Sequence, residues 1–192
     1  MAFWFVAVRN GSTRAASYAW TGLRCTATAI AAAATLHHSL PAARHCKDMS
    51  ELSEAARDLL PRSADEFGTV GYWDAFYQKR GDAVFHWYVD GARGAALVDA
   101  AIDDSSDGER LVVNLGCGTC EVPRGLAERW RGPHKLRVLS VDVSEECVTR
   151  SRAAQQSTDL VALDFEVMDA LALPDVSDAS VDVVFDKGLV DA

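Results

Sequence analysis

From Leu111 to Asp186, short apolar runs alternate with stretches of helical period, and no other feature of the chain narrows its fold so far. Strands are predicted over Leu111 to Leu115, Leu136 to Asp142, Leu163 to Met168 and Val181 to Asp186, with helices over Pro123 to Arg131 and Glu145 to Gln155. A strand that returns parallel to its predecessor needs a crossover, usually a helix, so this alternation implies βαβ units and a parallel sheet. The fold class is therefore α/β. No repeat of fixed period is present. The five cysteines, Cys25, Cys46, Cys117, Cys120 and Cys147, are odd in number and form no dense framework, which fits free thiols in a reducing compartment.

Three regions are expected. Residues 1 to 47 hold four Arg and one Lys with no acid, which leaves 14 basic residues against all 28 acidic ones beyond them. This Arg-, Ala-, Ser- and Thr-rich, acid-free stretch reads as a transit peptide or disordered extension lying outside the fold, and it implies a mitochondrial or other organellar location if it is a genuine leader, a cytoplasmic one otherwise. Its longest weakly apolar run, Cys25 to Leu36, is too short to cross a bilayer, which takes about 20 apolar residues, so no membrane partner is expected. Residues 48 to 110 form a helical and aromatic cap: "DMSELSEAARD" with Asp48 as a cap and Glu51 three residues on, then eight of the chain's 16 aromatic residues between Phe67 and Tyr88, then a helix in "GARGAALVDAAIDD". Residues 111 to 192 form the ligand-binding core.

Two chemistries compete for "VVNLGCGTCEV". Gly116 and Gly118 let a backbone approach a ligand closely, whereas Cys117-x-x-Cys120 has the spacing of a redox dithiol. Asp142 favours the ligand, because it closes the second strand 24 residues beyond Gly118, where nucleotide-binding α/β folds place a carboxylate on ribose hydroxyls. A pyrophosphate fingerprint would carry a third glycine where Glu121 stands, so nicotinamide and flavin dinucleotides lose ground. S-adenosyl-L-methionine has no phosphate; it requires a glycine turn, a ribose carboxylate and a polar adenine pocket, to which Asp169 could contribute. Plainer roles stay open for each residue: a tight turn for the glycines, a helix border for Asp142, a loop carboxylate for Asp169.

"EFGTVGYWDAFYQKRG", "FHWY", "LGCGTCE", "VDVSEECV", "MDA" and "VVFDKGLVDA", in this order, resemble the class I S-adenosylmethionine-dependent methyltransferases, and within them the methyltransferase-like branch that includes elongation factor 1-alpha lysine methyltransferases. The resemblance covers about Leu59 to Ala192. It implies that Trp73, Tyr77 and Trp87 close over the cofactor, that Gly116 forms the glycine turn, that Asp142 and Val143 hold the ribose, that Asp169 and Ala170 meet the adenine, and that Lys187 lies near the cofactor. Plain core packing is the alternative for the aromatics, and a solvated charge for Lys187. Asn114 replaces an acidic residue common in the class, and Leu189 replaces a threonine usual in this branch. The resemblance also implies three further strands beyond Ala192, so Val181 to Asp186 is expected to present an exposed apolar edge, and this polypeptide alone is expected to bind cofactor poorly.

The function expected is methyl transfer, most readily to protein lysine, with a small-molecule methyltransferase, an inactive partner-binding fragment and a dithiol redox module as the alternatives. A lysine amine with a pKa near 10.4 is almost wholly protonated at neutral pH, so a site must favour its neutral form, and Asp186 is the acid best placed to orient it. The acidic body repels nucleic acid and suits a protein substrate with a basic surface. The absence of an "[DN]PP[YFW]" signature lowers a nucleic-acid reading further. No metal is expected from the sequence.

Overall fold

Val112, Asn114 and Leu115 each lie between two parallel neighbours, one 71 residues on in the chain and the other 26, and this pairing fixes the topology. The structure, a computed structural model, describes residues 5–8, 59, 61–81, 90–103 and 107–189. Its elements are β1 (Phe5–Val8), α1 (Val70–Arg80), α2 (Gly91–Ala101), β2 (Arg110–Leu115), α3 (Val122–Arg129), β3 (Leu136–Asp142), α4 (Glu145–Ala154), β4 (Val161–Val167) and β5 (Val183–Asp186), with a 3-10 turn at Ala64–Gly68. The sheet order is β1-β5-β2-β3-β4. Strands β2 to β5 are mutually parallel, as the crossovers require, and the α/β Rossmann-like class stands.

Alternation along each strand sorts side chains onto two faces. Val112, Leu136, Val138, Val161, Val183 and Phe185 turn toward α2 and α3, where Ala95, Val98, Leu126 and Trp130 meet them. Val113, Leu115, Leu139, Val141 and Val184 turn the other way and are covered by Met168, Ala170, Leu173, Val176 and Leu189 from the connecting segments. The helices start where side chains satisfy their first amides: Thr69 accepts from Tyr72, Asp90 from Arg93, and Ser144 from Cys147. Helix α3 lacks such a cap but carries Pro123 in its first turn, where a missing N–H costs nothing. Helices α2 and α3 touch through Gly125, where a Cβ would lie 2.8 Å from the Cβ of Ala95.

Predicted and observed elements differ at their ends. Strand β4 begins at Val161, two residues before the apolar pattern suggested, because Val161 pairs with Leu136 at the start of β3. Strand β5 begins at Val183 rather than Val181, since Asp182 instead exchanges two bonds with Leu111: its amide donates to the Leu111 carbonyl (2.9 Å) and its carboxylate accepts from the Leu111 amide (2.8 Å). Helix α3 stops at Arg129, and the Trp130 ring that follows is buried against the core.

The largest correction concerns the first region. Residues 1 to 47 were expected to lie outside the fold, yet Phe5–Val8 join the sheet antiparallel to β5, with Phe5 opposite Asp186 and Val8 opposite Val183. A short β-prone "FVAV" meets a strand with an open ladder of backbone donors and acceptors, and pairing removes the exposed apolar edge that had been expected at β5. The rest of residues 1 to 47 and the helix expected over 48 to 58 lie outside the described residues, as does Trp87. Among the described residues no helix is long and apolar enough to cross a membrane.

Candidate functional site

The chain leaves β2 toward β3 and later returns to β5 on the other flank of β2, so the connections diverge beyond the carboxyl ends of these strands. Open α/β sheets bind ligands at such a switch point. Leu115, Asp142 and Asp186 end the three strands there.

After β2 the chain turns through Gly116 (φ 55°) and Gly118 (φ 49°), both in the left-handed region that glycine adopts without strain. Each also faces a close neighbour: a Cβ on Gly116 would lie 2.7 Å from the Cβ of Leu189, and one on Gly118 would lie 2.5 Å from the Tyr77 hydroxyl. The loop is thus roofed from two directions, by the segment leaving β5 and by helix α1.

Asp142 organises the turn. Its Oδ2 accepts from the Gly118 amide at 2.9 Å and its Oδ1 from the Ser144 amide at 3.0 Å, so one carboxylate ties the glycine loop to the start of α4. Burial pushes its pKa above the ordinary carboxylate value, and the Ser144 and Gly118 amides partly offset this by favouring the charged form. The Cys147 thiol and the Val143 amide also hydrogen-bond to this carboxylate. Val143 follows, half-buried, at the strand end. Asp169 stands on the neighbouring loop, exposed, its Oδ1 accepting from the Leu171 amide at 2.8 Å; Ala170 beside it packs on the β3 face, and the Met168 amide donates to the Asp142 carbonyl at 2.9 Å.

The aromatic segment divides. Phe67, Tyr72, Trp73, Phe76 and Tyr77 stack in a connected cluster with centroid separations of 5.0 to 6.2 Å. Trp73 donates its indole N–H to the Phe67 carbonyl at 2.7 Å, and Tyr72 its hydroxyl to the Leu59 carbonyl at 2.8 Å, so these two brace the cap. Tyr77 reaches the loop. Burial, and then the nearby Asp142 charge, push its phenol well above the usual range, which keeps it a neutral hydrogen-bonding group.

Asp186 and Lys187 are both buried at the end of β5, and the Gly188 amide donates to Asp186 Oδ1 at 3.0 Å. The Lys187 charge acts on the Cys120 thiol. Asn114, in place of an acid, is buried next to Ser140, its partner across the β2–β3 ladder, at a side-chain separation of 3.5 Å. Cys117 and Cys120 are free, buried thiols. A contact with Cys147, then burial, drive the Cys117 thiol well upward, and burial raises Cys120. A redox dithiol depends on a depressed thiol pKa, so this environment opposes the redox reading.

Sequence reasoning missed Asp74 and Ser144. The Ser144 hydroxyl donates to Asp74 Oδ1 at 2.5 Å, which pins α1 to the Asp142 turn across 70 residues of chain. The one legible signal was Ser144 as a helix cap.

Residues 112–191 match the family described as "Methyltransferase domain". They are a class I methyltransferase domain. The eEF1A lysine and N-terminal methyltransferase of Homo sapiens is 32% identical to this chain over 135 residues, which are 70% of this chain and 18% of that protein. The homolog from Drosophila melanogaster is 27% identical over 136 residues, again 70% of this chain and 19% of the relative. The chain therefore spans about a fifth of the length of these curated relatives. A solved complex of the Haloferax volcanii Trm112 methyltransferase activator with a methyltransferase matches at 27% identity and a TM-score of 0.35, over 55% of this chain and 41% of that one. Methyltransferase domains in general take their methyl group from S-adenosyl-L-methionine, and the roofed glycine turn with a buried carboxylate beside it fits that donor.

Proposed function

We propose that the methyltransferase domain transfers a methyl group from S-adenosyl-L-methionine to protein amines, lysine foremost. The observation that carries this reading is Asp142: a buried carboxylate at a strand end, held against the glycine loop by the Gly118 amide, at the place where a ribose would meet it. When bound, the donor supplies a methyl group activated on a sulfonium. Gly116 and Gly118 give it room, Asp142 with Val143 accepts its ribose, Asp169 with Ala170 borders its adenine, and Tyr77 closes over the loop from α1.

Alignment is most of what such a displacement asks of a protein. Asp186, buried at the end of β5, orients the incoming amine, and Lys187 holds the loop where the acceptor enters. A lysine amine must lose its proton before attack, and a buried carboxylate next to a low-dielectric entrance favours that by taking up or relaying the proton. The names of the relatives support protein amines as acceptors, and the 28 acidic residues against 19 basic ones support a substrate with a basic surface. The acid-free first 47 residues support import into an organelle such as the mitochondrion, which a fluorescent fusion of residues 1–50 tests.

Tritiated donor incubated with the protein and cell lysate decides the substrate class. Label in a discrete protein band, recovered as methyl-lysine after hydrolysis, is the expected result. Label only in extractable metabolites would establish a small-molecule enzyme instead. Asp186→Ala is expected to lower turnover at least about 100-fold with donor affinity retained; unchanged turnover removes Asp186 from the mechanism.

A further inference from the structure

We propose that Cys117, Asp142 and Cys147 form a binding site for a thiophilic divalent cation of the Zn2+ class. The three side chains come from three different elements: the glycine loop, the end of β3 and the first turn of α4. All are buried, and their ligand atoms lie within 4.8 Å of one another. Among the described residues they are the one group of three His, Cys, Asp or Glu side chains so placed.

The donor set suits such an ion. Two sulfurs and one carboxylate oxygen are ligands that zinc takes at about 2.3 Å and 2.0–2.2 Å, which puts neighbouring ligands of a tetrahedral site about 3.5 to 3.8 Å apart. The group as it stands needs to contract by roughly 1 Å at most to meet that geometry. Tyr77 packs on the Cys147 cluster with its hydroxyl over the same loop, 2.5 Å from where a Cβ on Gly118 would lie, so that its phenol oxygen or a water would fill the fourth position.

A dication placed among the three groups takes all of them as ligands. Both S–H bonds break, two sulfur–metal bonds form, both protons pass to solvent, and the Asp142 oxygen completes the third bond, leaving the site with one net negative charge. Cys120 takes no part: its sulfur accepts from the Val122 amide at 3.4 Å, and it belongs to the core beneath α3.

Asp142 cannot serve an ion and a ribose at once. Occupancy by the cation therefore opposes donor binding, a consequence that rests on the donor reading above, whereas the site itself does not.

The test uses the full chain, reduced, with Cys25 and Cys46 changed to Ser so that three thiols remain, and Cd2+ as the spectroscopic probe. One equivalent should produce the ultraviolet cadmium–thiolate charge-transfer band with release of two protons, measured across buffers of different ionisation enthalpy. Cys120→Ala should keep the band, while Cys117→Ala and Cys147→Ala should each abolish it and Asp142→Asn should weaken binding by about 10- to 100-fold. No band in the parent chain, or a band that survives both Cys117→Ala and Cys147→Ala, overturns the site. If those variants do not fold by circular dichroism, proton release in the parent decides: two protons per ion sustain the site and none refutes it. Calorimetry with S-adenosyl-L-methionine alone tests the donor reading separately, and a band that persists while the donor fails to bind overturns only that reading.

Discussion

The Ser144 hydroxyl donates a 2.5 Å hydrogen bond to Asp74 while the Ser144 amide donates to Asp142. One serine thereby joins the aromatic helix α1 to the carboxylate that organises the glycine loop. Tyr77 of the same helix packs on the cluster of Cys147, Val148 and Phe165, and this bond adds a polar tie beside that contact.

Loss of that bond should loosen the cap more than it unfolds the domain. Asp74→Ala is expected to weaken S-adenosyl-L-methionine binding by about 1 kcal/mol, roughly fivefold, with a melting temperature only a few degrees lower. Asp74→Asn keeps an acceptor oxygen and should restore most of the affinity. Titration calorimetry on the three proteins gives the answer; equal affinities would show that the cap closes without this contact.

At Gly118 two penalties coincide. Alanine there must hold a φ of 49° and must also push aside the Tyr77 hydroxyl, 2.5 Å from the new methyl group. Gly118→Ala should cost about 2 kcal/mol or more, of which the backbone accounts for about 1. Tyr77→Phe in the same chain should return the steric part, so a double-mutant cycle by urea unfolding is expected to be non-additive. Additive costs would mean that Tyr77 does not press on the loop.

The pH response follows from Asp142. Its folded pKa lies above the ordinary 3.8, so the folded state holds the proton more tightly than the unfolded chain does. Its favourable contribution to stability is therefore complete below about 3.8 and drains away as pH rises through the raised folded value. Asp142→Asn should remove this dependence, and the difference in urea midpoint between the two proteins across this window is the measurement. Donor affinity should run the opposite way and grow with pH as the carboxylate ionises and accepts from the ribose. A stability difference that stays flat from acid to neutral pH would contradict the assignment.

Strand β1 should matter for solubility. Deleting residues 1–9 strips β5 of its antiparallel neighbour and opens a ladder flanked by Val183, Val184 and Phe185. Light scattering is expected to show association at concentrations where the full chain stays dispersed. An equally dispersed deletion would show that β1 does not protect the edge.

How much of this was legible beforehand depended on the range of the interactions involved. The bounds of β3 matched at Leu136 and Asp142, because its apolar run stands between the Gly132-Pro133 turn and the Ser144 helix cap. The glycine loop and the Asp142 terminus were also visible, since both follow from local backbone needs. Phe5–Val8 were not, because their role arises from an edge formed almost 180 residues later. The Asp74–Ser144 bond and the meeting of Cys117 with Cys147 are likewise products of tertiary packing, and nothing in local spacing announces them. The bond from the Trp73 indole N–H to the Phe67 carbonyl is another such product of packing.

Leu189 rests on Gly116 so tightly that no side chain fits between them. Under the function proposed above, the shoulder that greets an arriving acceptor and the bend that seats the methyl donor are geared to one another: a substrate leaning on residues 187–189 would press on the donor's seat, and gripping one reactant would engage the other in a single mechanical event.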